Sequence, residues 1–203
     1  MISKVIVTCL LALSVVTGAH ASTLLVFGDS LSAAYNLRQQ NGWVSLLTQQ
    51  INERELDVDV VNASVSGETT QGGLSRLPAL LERHQPDWMV LELGANDGLR
   101  GYPLEQVKNN LAQMIDMAQA QDTKVLLLGN HLPPNYGRQY TEQFFNLYKD
   151  LAESKDLAYV PFMLENVALD KSLMLADGLH PNADGQPVVL ENIAPTLLLM
   201  LEQ

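Results

Sequence analysis

The segment Leu24-Leu25-Val26-Phe27-Gly28-Asp29-Ser30 joins a short apolar run to a polar cluster that contains a serine. Two more apolar runs, Val58–Val61 and Trp88–Leu91, lead to Gly67 and to the cluster Gly94–Asp97. If these runs are neighbouring strands of one parallel sheet, their carboxyl ends meet at one edge, where open α/β sheets place their sites. We therefore expect the three clusters to lie close together in the folded chain.

Strand-like and helix-like segments alternate along the rest of the chain, a pattern that predicts βαβ units and a parallel sheet. Lys124–Gly129 and Ala158–Pro161 are the expected fourth and fifth strands. The strands are apolar almost throughout, which favours a sheet covered by helices on both faces. The expected fold is therefore a three-layer α/β/α sandwich around five parallel strands, in a single domain formed by residues 22–203.

Three stripes of apolar residues at helical spacing predict helices between the strands. The second stripe follows Pro103, a residue suited to the first helical position. A further helix is expected from Gln186 to Gln203, where Pro187 fits the start and Pro195 is expected to kink or interrupt the helix. The stripes are Trp43, Leu46, Leu47 and Ile51; Leu104, Val107, Leu111, Met114, Ile115 and Ala118; and Phe144, Tyr148, Leu151 and Ala152.

Residues 1–21 have the features of a secretory signal peptide. Lys4 is followed by an apolar stretch from Val5 to Val16 and by the small-residue ending Ala19-His20-Ala21. The stretch is too short for an ordinary membrane-spanning helix, although an uncleaved anchor is the alternative. We expect cleavage after this ending, export to the periplasm or out of the cell, and no stable membrane insertion. Cleavage would remove the only cysteine, Cys9, and would move the net charge from −11 to −12 because Lys4 is lost.

The acidic balance of the chain limits its partners. The sequence has 23 acidic and 12 basic side chains, a ratio that disfavours binding to nucleic acid and to anionic membrane surfaces. A simpler alternative is that the acidic surface keeps an exported protein soluble. At this length, the expected protein is a monomer whose partner is a small-molecule substrate.

A serine nucleophile and its base can be chosen from the polar clusters. Ser30 follows the first strand and can present its hydroxyl at the sheet edge, where the start of a helical turn favours negative charge. His180 is the best base, because Asp177 can turn back to its Nδ1 and leave Nε2 facing Ser30. Taken singly, Gly-Asp-Ser also makes ordinary turns, and the segment Asp177–His180 also fits an incidental ion pair at the surface.

The oxyanion that forms during acyl transfer needs hydrogen-bond donors that are already in place. The candidates are the backbone N–H groups of Ser30 and Gly67 and the side-chain amide of Asn96. Gly67 permits close approach of the backbone to a substrate, and the turn before Asn96 can aim its amide inward. Both residues also fit ordinary turns, since Gly and Asn tolerate unusual backbone angles.

Other catalytic schemes lack their residues in this sequence. The sequence around Ser30 does not match the Gly-x-Ser-x-Gly elbow, because Ser32 stands where that motif has its second glycine. The sequence also has no His-Glu-x-x-His pair, cysteine cluster, P-loop or dinucleotide fingerprint. We therefore expect neither a metal ion nor a cofactor.

Together, the polar clusters resemble the sequence blocks of the GDSL, or SGNH, hydrolase family. The resemblance runs from the first strand to the histidine segment and covers nearly all of residues 22–203. It implies the flavodoxin-like α/β/α fold, which agrees with the fold expected from the pattern of strands and helices. The matching blocks are Gly28–Ser32, Gly67, Gly94–Asp97 and Asp177–His180.

The resemblance also implies a role for each site residue. It makes Ser30 the nucleophile, His180 the base and Asp177 the residue that orients the base. It assigns the oxyanion hole to the Ser30 backbone together with Gly67 and Asn96. No cofactor is part of this chemistry.

Other segments resemble the bacterial periplasmic thioesterase I / protease I / lysophospholipase L1 group of this family, some of whose members are called arylesterases. The resemblance implies hydrolysis of acyl thioesters and esters, including lysophospholipids. One departure is Asn130-His131, where a different polar pair, often ending in arginine, is expected, so the role of His131 stays open. The matching segments are Leu77–Leu81, Asn96–Gly101 and Leu132–Arg138, and the residues implied to contact the acyl chain are Leu31, Leu77, Leu132 and Pro133.

The expected function is that of a secreted serine esterase or thioesterase that forms an acyl-enzyme on Ser30. Two alternatives use the same scaffold: a carbohydrate O-acetyl esterase, and a non-catalytic module that binds lipid or carbohydrate. The complete set of site residues disfavours the binding module, because binding alone needs neither a nucleophile with its base nor an oxyanion hole.

Overall fold

Five parallel strands form the central sheet of the chain, whose computed structural model describes residues 22–202. The strand order is β2-β1-β3-β4-β5, and every neighbouring pair is parallel. The expected five-stranded parallel sheet is thus confirmed, whereas the predicted signal peptide, residues 1–21, lies outside the described residues. The strands are β1 (Ser22–Gly28), β2 (Val58–Asn62), β3 (Trp88–Glu92), β4 (Lys124–Leu128) and β5 (Ala158–Val160).

Six α-helices lie within the described part of the chain, and four of them coincide with the predicted ones. The two that the apolar stripes did not predict follow β2 and β3. One of them contains Gly72, Gly73 and Pro78, which weaken the helical pattern in its sequence, and the other is only five residues long. The helices are α1 (Trp43–Glu53), α2 (Thr70–His84), α3 (Ala95–Leu99), α4 (Leu104–Gln119), α5 (Arg138–Lys155) and α6 (Gln186–Leu201).

Two proline positions differ from expectation in detail. α6 runs through Pro195 as one helix, so of the two expected effects, a kink or an interruption, the interruption is wrong. Buried side chains on both sides of this residue, including Ile193 and Leu197, pack against the sheet and stabilise the helix without the hydrogen bond that proline cannot donate. Pro103 lies one residue before the first helical residue of α4 rather than at it.

The helices cover both faces of the sheet, because side chains alternate between the faces along each strand. Leu24 and Val26 of β1 point to the face that α1 and α6 cover. Leu25 and Phe27 point to the other face, which α2, α4 and α5 cover. Nearly all of these core side chains are fully buried. The three-layer α/β/α sandwich is therefore confirmed.

The strand order places a crevice beside β1. The chain passes from β1 to β2 on one side and then to β3 on the other, so the order reverses between β1 and β3. Ligands of open α/β sheets bind at such a point, outside the carboxyl ends of the strands. The pairing of Gly28 with Glu92 brings the ends of the two strands level at this edge.

No helix within residues 22–202 is both long and apolar enough to span a membrane.

Candidate active site

Ser30 lies in the first turn after β1, at the carboxyl edge of the sheet. The turn has helical hydrogen bonds, since Ala33 N–H donates to the Asp29 carbonyl at 3.0 Å and Tyr35 N–H to the Ser30 carbonyl at 3.4 Å. The carboxylate of Asp29 also accepts the Leu31 N–H at 3.0 Å. These bonds fix the backbone on both sides of Ser30, which lines a cavity at this edge.

His180 and Asp177 lie on one turn that faces Ser30. His180 Nε2 is 2.8 Å from Ser30 Oγ, and His180 Nδ1 is 2.8 Å from Asp177 Oδ2. The second oxygen of Asp177 accepts the N–H groups of Leu179 at 2.9 Å and of His180 at 3.1 Å. Gly178 has a φ of +67°, a left-handed conformation that favours glycine. The structure therefore joins Ser30, His180 and Asp177 in one unbroken series of hydrogen-bonding groups.

The electrostatics of this turn favour an ionised Asp177. Partial burial raises the pKa of the carboxyl, but hydrogen bonds from the Leu179 N–H, the imidazole and the His180 N–H outweigh it, so the pKa of Asp177 lies below its ordinary value. An ionised carboxylate only accepts hydrogen bonds, which keeps the proton of a neutral His180 on Nδ1. Nε2 is then free to accept the proton of the Ser30 hydroxyl.

The predicted oxyanion-hole residues line the same cavity as Ser30. Asn96 is the second residue of α3, and its Nδ2 donates to Asp29 Oδ2 at 2.9 Å. Gly67 follows β2 with a φ of +80°, and its carbonyl accepts a hydrogen bond from Arg100 Nη2 at 3.4 Å. The structure thus places the predicted donors around one space.

That cavity has a volume of about 1050 Å³. Leu31, Leu132 and Pro133 line it. Leu77 does not, because its side chain is fully buried between α2 and the sheet, so its assignment as a substrate-binding residue is wrong. A leucine at helical spacing has the same pattern in the sequence whether its helix face meets the core or a groove.

One wall of the cavity comes from the long connection between β5 and α6. The sequence analysis identified no cavity residue in this connection before Asp177. Phe162, Leu164 and Met174 give this wall its apolar surface. Leu169 stands at its rim and is 98% exposed. The connection has no regular secondary structure between β5 and α6, so no periodic signal marks these residues as cavity lining.

Three aromatic contacts near the site were also not predicted. The ring of Tyr35 lies against the imidazole of His180, with 4.5 Å between the ring centroids. His131 lines the cavity and packs between Phe145, at 3.8 Å, and Phe162, at 4.7 Å between centroids. Partial burial lowers the pKa of His131, although the nearby charge of Glu165 opposes the shift. His131 therefore presents a neutral ring to the cavity at neutral pH.

Two buried carboxyl groups lie next to Ser30. Asp29 and Glu92 are 1% and 2% exposed. Glu92 Oε2 accepts the Asp29 N–H at 3.2 Å and the Ser32 hydroxyl at 2.8 Å. Gly28 makes room for this carboxyl, because a Cβ there would lie 2.7 Å from Glu92 Oε2. Sequence reasoning missed Glu92, for which the only signal is an acidic residue at the end of an apolar strand.

Burial changes the ionisation of this pair. It raises the pKa of Asp29 to about 6, against the opposing effect of hydrogen bonds from the Leu31 N–H and the Asn96 amide. Burial also raises the pKa of Glu92 well above its ordinary value, and the nearby charge of Asp29 adds to the shift. Ionisation is therefore less favourable for both carboxyl groups than it is in water.

The sequence and the fold match known proteins along almost their whole length. The chain is 49% identical over 193 residues to "Esterase TesA" of Pseudomonas aeruginosa, covering 95% of this chain and 96% of that protein. It is 45% identical over 179 residues to "Thioesterase 1/protease 1/lysophospholipase L1" of Escherichia coli K12, covering 88% and 85%. The structure superimposes on the psychrotrophic esterase EstA from Pseudoalteromonas with a TM-score of 0.85 and 38% identity, covering 90% and 100%.

A profile of the GDSL-like lipase/acylhydrolase family matches residues 26–188, from within β1 to the start of α6. The matched range contains Ser30, Gly67, Asn96, Asp177 and His180. The chain belongs to the GDSL-like lipase/acylhydrolase family.

Proposed function

We propose that this protein hydrolyses carboxylic esters and thioesters of acyl chains through an acyl-enzyme on Ser30. Hydrolysis of ester bonds follows from the family and from the names of relatives at 45–49% identity. The single observation that carries the mechanism is the series of two 2.8 Å contacts from Ser30 Oγ through His180 to Asp177. It supplies a nucleophile, a base and an orienting carboxylate in the arrangement that acyl transfer needs.

In the first half of the reaction, Ser30 Oγ attacks the carbonyl carbon while His180 Nε2 takes the hydroxyl proton. The carbonyl oxygen becomes an oxyanion, which accepts hydrogen bonds from the backbone of Ser30 and Gly67 and from the Asn96 amide. The bond to the alcohol or thiol then breaks, and the leaving group receives the proton from His180. The acyl group remains as an ester of Ser30.

In the second half, water attacks the acyl-enzyme and gives one proton to His180 Nε2. The second tetrahedral intermediate uses the same oxyanion donors. When it breaks down, the carboxylic acid leaves and Ser30 Oγ recovers the proton from His180. Asp177 stays ionised throughout and stabilises the imidazolium that forms in each half.

The cavity supports acyl chains as the substrate class. Its lining includes the apolar residues Leu31, Leu132 and Pro133, together with Phe162 and Leu164 from the connection between β5 and α6. Its volume of about 1050 Å³ lies at the upper end of the range usual for small-molecule sites. Lysophospholipids and other soluble acyl esters are therefore the proposed substrates.

The proposed location of the reaction is the periplasm or the cell exterior, after cleavage of the signal peptide at Ala21. This proposal rests on the sequence of residues 1–21, with one lysine before an apolar stretch and a small-residue ending. The proposed active form is a monomer. Mass spectrometry of the exported protein would show an N-terminus at Ser22, and an N-terminus at Met1 would overturn the cleavage.

Labelling with a fluorophosphonate tests the mechanism, because this reagent forms a covalent bond with an activated serine. Peptide mass spectrometry is expected to find the label on Ser30, and labelling is expected to disappear in Ser30→Ala and in His180→Ala. Wild-type protein that is folded but stays unlabelled would overturn the mechanism. Turnover of lysophospholipid and aryl esters then tests the substrate class, which activity on acetylated sugars alone would contradict.

A further inference from the structure

The buried carboxyl groups of Asp29 and Glu92 take no direct part in the steps above. Both lie at the ends of the neighbouring strands β1 and β3, immediately beside the nucleophile. Each accepts hydrogen bonds with defined geometry, and each affects the ionisation of the other. Burial of two carboxyl groups is unfavourable unless hydrogen bonds or opposite charges compensate for the loss of water, so a functional role for this pair is worth testing.

Burial and their mutual repulsion make it unfavourable for both carboxyl groups to be ionised at once. Within residues 22–202 neither carboxyl forms a salt bridge with Lys, Arg or His. Two neighbouring carboxylates in a buried site repel each other, which favours a proton on one of them. The proton stays on the group whose ionisation is less favourable. That group is Glu92, because burial and the charge of Asp29 raise its pKa well above the ordinary value despite the hydrogen bonds that it accepts from the Ser32 hydroxyl and the Asp29 N–H. Asp29 accepts the Asn96 amide and the Leu31 N–H, which stabilise its negative charge.

Other ionisable groups surround Asp29 on every side. Glu92 faces it from β3, and His180 faces it from the turn before α6. Asp97 of α3 and the Tyr148 hydroxyl of α5 belong to the same buried region, since the charges of Glu92, Asp29 and Asp97 all act on Tyr148. His180 is the only one of these groups that favours an ionised Asp29 by its charge.

The ionisation of Asp29 determines which end of the Asn96 amide faces the cavity. A carboxylate only accepts hydrogen bonds, so it holds the NH₂ group of Asn96 and excludes its carbonyl oxygen. One N–H of this group donates to Asp29 Oδ2, and the second N–H remains for the substrate oxyanion. A protonated Asp29 could instead donate to the Asn96 carbonyl, and the amide would then lose its fixed orientation.

We infer that Asp29 is a positioning residue of the oxyanion hole, which holds the Asn96 amide as a donor only while Asp29 is ionised and Glu92 carries the shared proton. This inference rests on the proposed function, because that proposal assigns Asn96 to the oxyanion hole. It adds the ionisation of Asp29 to that of His180 as a condition on which the reaction depends.

The pH dependence of two enzymes tests the inference without altering Asp29. The kcat of the wild type divided by the kcat of Asn96→Ala measures the contribution of the amide to catalysis. Both enzymes contain His180, so the effect of its ionisation on kcat cancels in this ratio. At pH 8 the expected ratio is about 10²–10³. It is expected to fall about tenfold by pH 5, one unit below the pKa of about 6 for Asp29. A ratio that is constant from pH 8 to pH 5 overturns the inference.

A double-mutant cycle provides the second test. Asp29→Asn is expected to lower kcat by about 10–10²-fold with little change in KM, because it weakens a donor that acts in the transition state. In the Asn96→Ala background the same substitution is expected to cost less than about twofold. Equal losses in both backgrounds would show that Asp29 does not act through Asn96 and would overturn the inference.

Two variants separate positioning from general stability. Glu92→Gln keeps one acceptor and one donor in place of the protonated carboxyl, so kcat is expected to stay within about threefold. A loss as large as that of Asp29→Asn would mean that Glu92 works as an anion, against the inference. Asp97→Asn is the matched control, because Asp97 is equally buried but accepts its hydrogen bonds from Thr70.

Asp97→Asn is expected to lower the Tm. The fall in kcat that Asn96→Ala causes is expected to be the same with Asp97→Asn present as without it.

The result for Asn96→Ala also separates the two proposals. A loss of less than about twofold in that variant overturns the inference, while labelling of Ser30 by the fluorophosphonate still supports the proposed function.

Discussion

Two regions lie next to Ser30: the histidine turn (residues 175–180) and the acidic floor (Gly28, Asp29, Glu92 and Asn96). In the histidine turn, hydrogen bonds join residues no more than five apart, including Leu175 N–H to the His180 carbonyl at 2.8 Å. In the acidic floor, they join residues 63 and 67 apart. A short segment therefore determines how His180 and Asp177 lie relative to each other, whereas the contact of the Asn96 amide depends on the pairing of β1 with β3.

The two regions also differ in burial. The side chain of Asp177 is 36% exposed, whereas Glu92 as a residue is 2% exposed. Substitutions at exposed positions usually change stability little, while changes that disturb buried polar groups are among the most destabilising. Damage to the histidine turn is therefore expected to lower activity with little loss of stability, and damage to the acidic floor to lower both.

The largest expected effect comes from Asp177→Asn in the histidine turn. The variant is expected to lower kcat by about 10²–10⁴-fold, because Nδ1 of His180 loses an ionised partner and its tautomer is no longer fixed. The Tm is expected to change by less than about 3 °C. Steady-state kinetics with an aryl ester and a thermal melt check both expectations.

Asp170→Asn is the matched control for that variant. Asp170 makes a similar turn by accepting the N–H and hydroxyl of Ser172, and it lies in the same connection without a hydrogen bond to His180. Its kcat is expected to stay within about threefold of the wild type. If Asp177→Asn lost no more activity than this control, the role of the histidine turn would be wrong.

Leu77→Ala is expected to have the next largest effect, and on stability rather than on substrate choice. Leu77 packs in the same apolar layer as Phe27, the residue before Gly28, and its truncation is expected to lower the free energy of unfolding by about 2–5 kcal/mol. The relative kcat/KM for short, medium and long acyl chains is expected to stay unchanged. Leu132→Ala, at the cavity wall, is expected to change that ranking, and a changed ranking in Leu77→Ala would restore it as a substrate contact.

Two glycine substitutions compare the regions directly. Gly28→Ala places a Cβ 2.7 Å from Glu92 Oε2 and is expected to lower the free energy of unfolding by about 1–3 kcal/mol. Gly178→Ala meets no heavy atom within 4 Å, so only its φ of +67° is unfavourable, and the expected loss is about 1 kcal/mol. Urea unfolding of both variants measures the difference. A larger loss in Gly178→Ala would contradict the tighter packing of the acidic floor.

The smallest expected effect is a gain in stability for Glu92→Gln that depends on pH. The unfolded chain releases the Glu92 proton above a pH of about 4.3, whereas the folded protein retains it because its pKa is raised. Stability of the wild type therefore falls as pH rises above that value, and glutamine removes this loss. The Tm of Glu92→Gln relative to the wild type is expected to rise by a few degrees between pH 5 and pH 8. A constant difference would mean that Glu92 is ionised in the folded protein.

Apolar runs and short polar motifs are local signals, so the sequence was sufficient to predict the sheet and to predict that Ser30, Asp177 and His180 lie together. The hydrogen bond from Asn96 to Asp29 was not predictable, since it depends on how two strands pair. Glu92 was missed for the same reason. The prediction for Leu77 failed because hydrophobic spacing identifies a buried helix face without showing whether a cavity or the core buries it.

The histidine turn is closed at its base by its own contacts. Met174 and Pro181 form an antiparallel bridge, and Asn182 N–H donates to the Leu173 carbonyl at 2.8 Å. The position of His180 is thus set independently of the length of the preceding connection, whose residues form the outer wall of the cavity. Changes in the length of the connection before Leu173 are therefore expected to alter the shape of the cavity while leaving the distance between His180 and Ser30 unchanged.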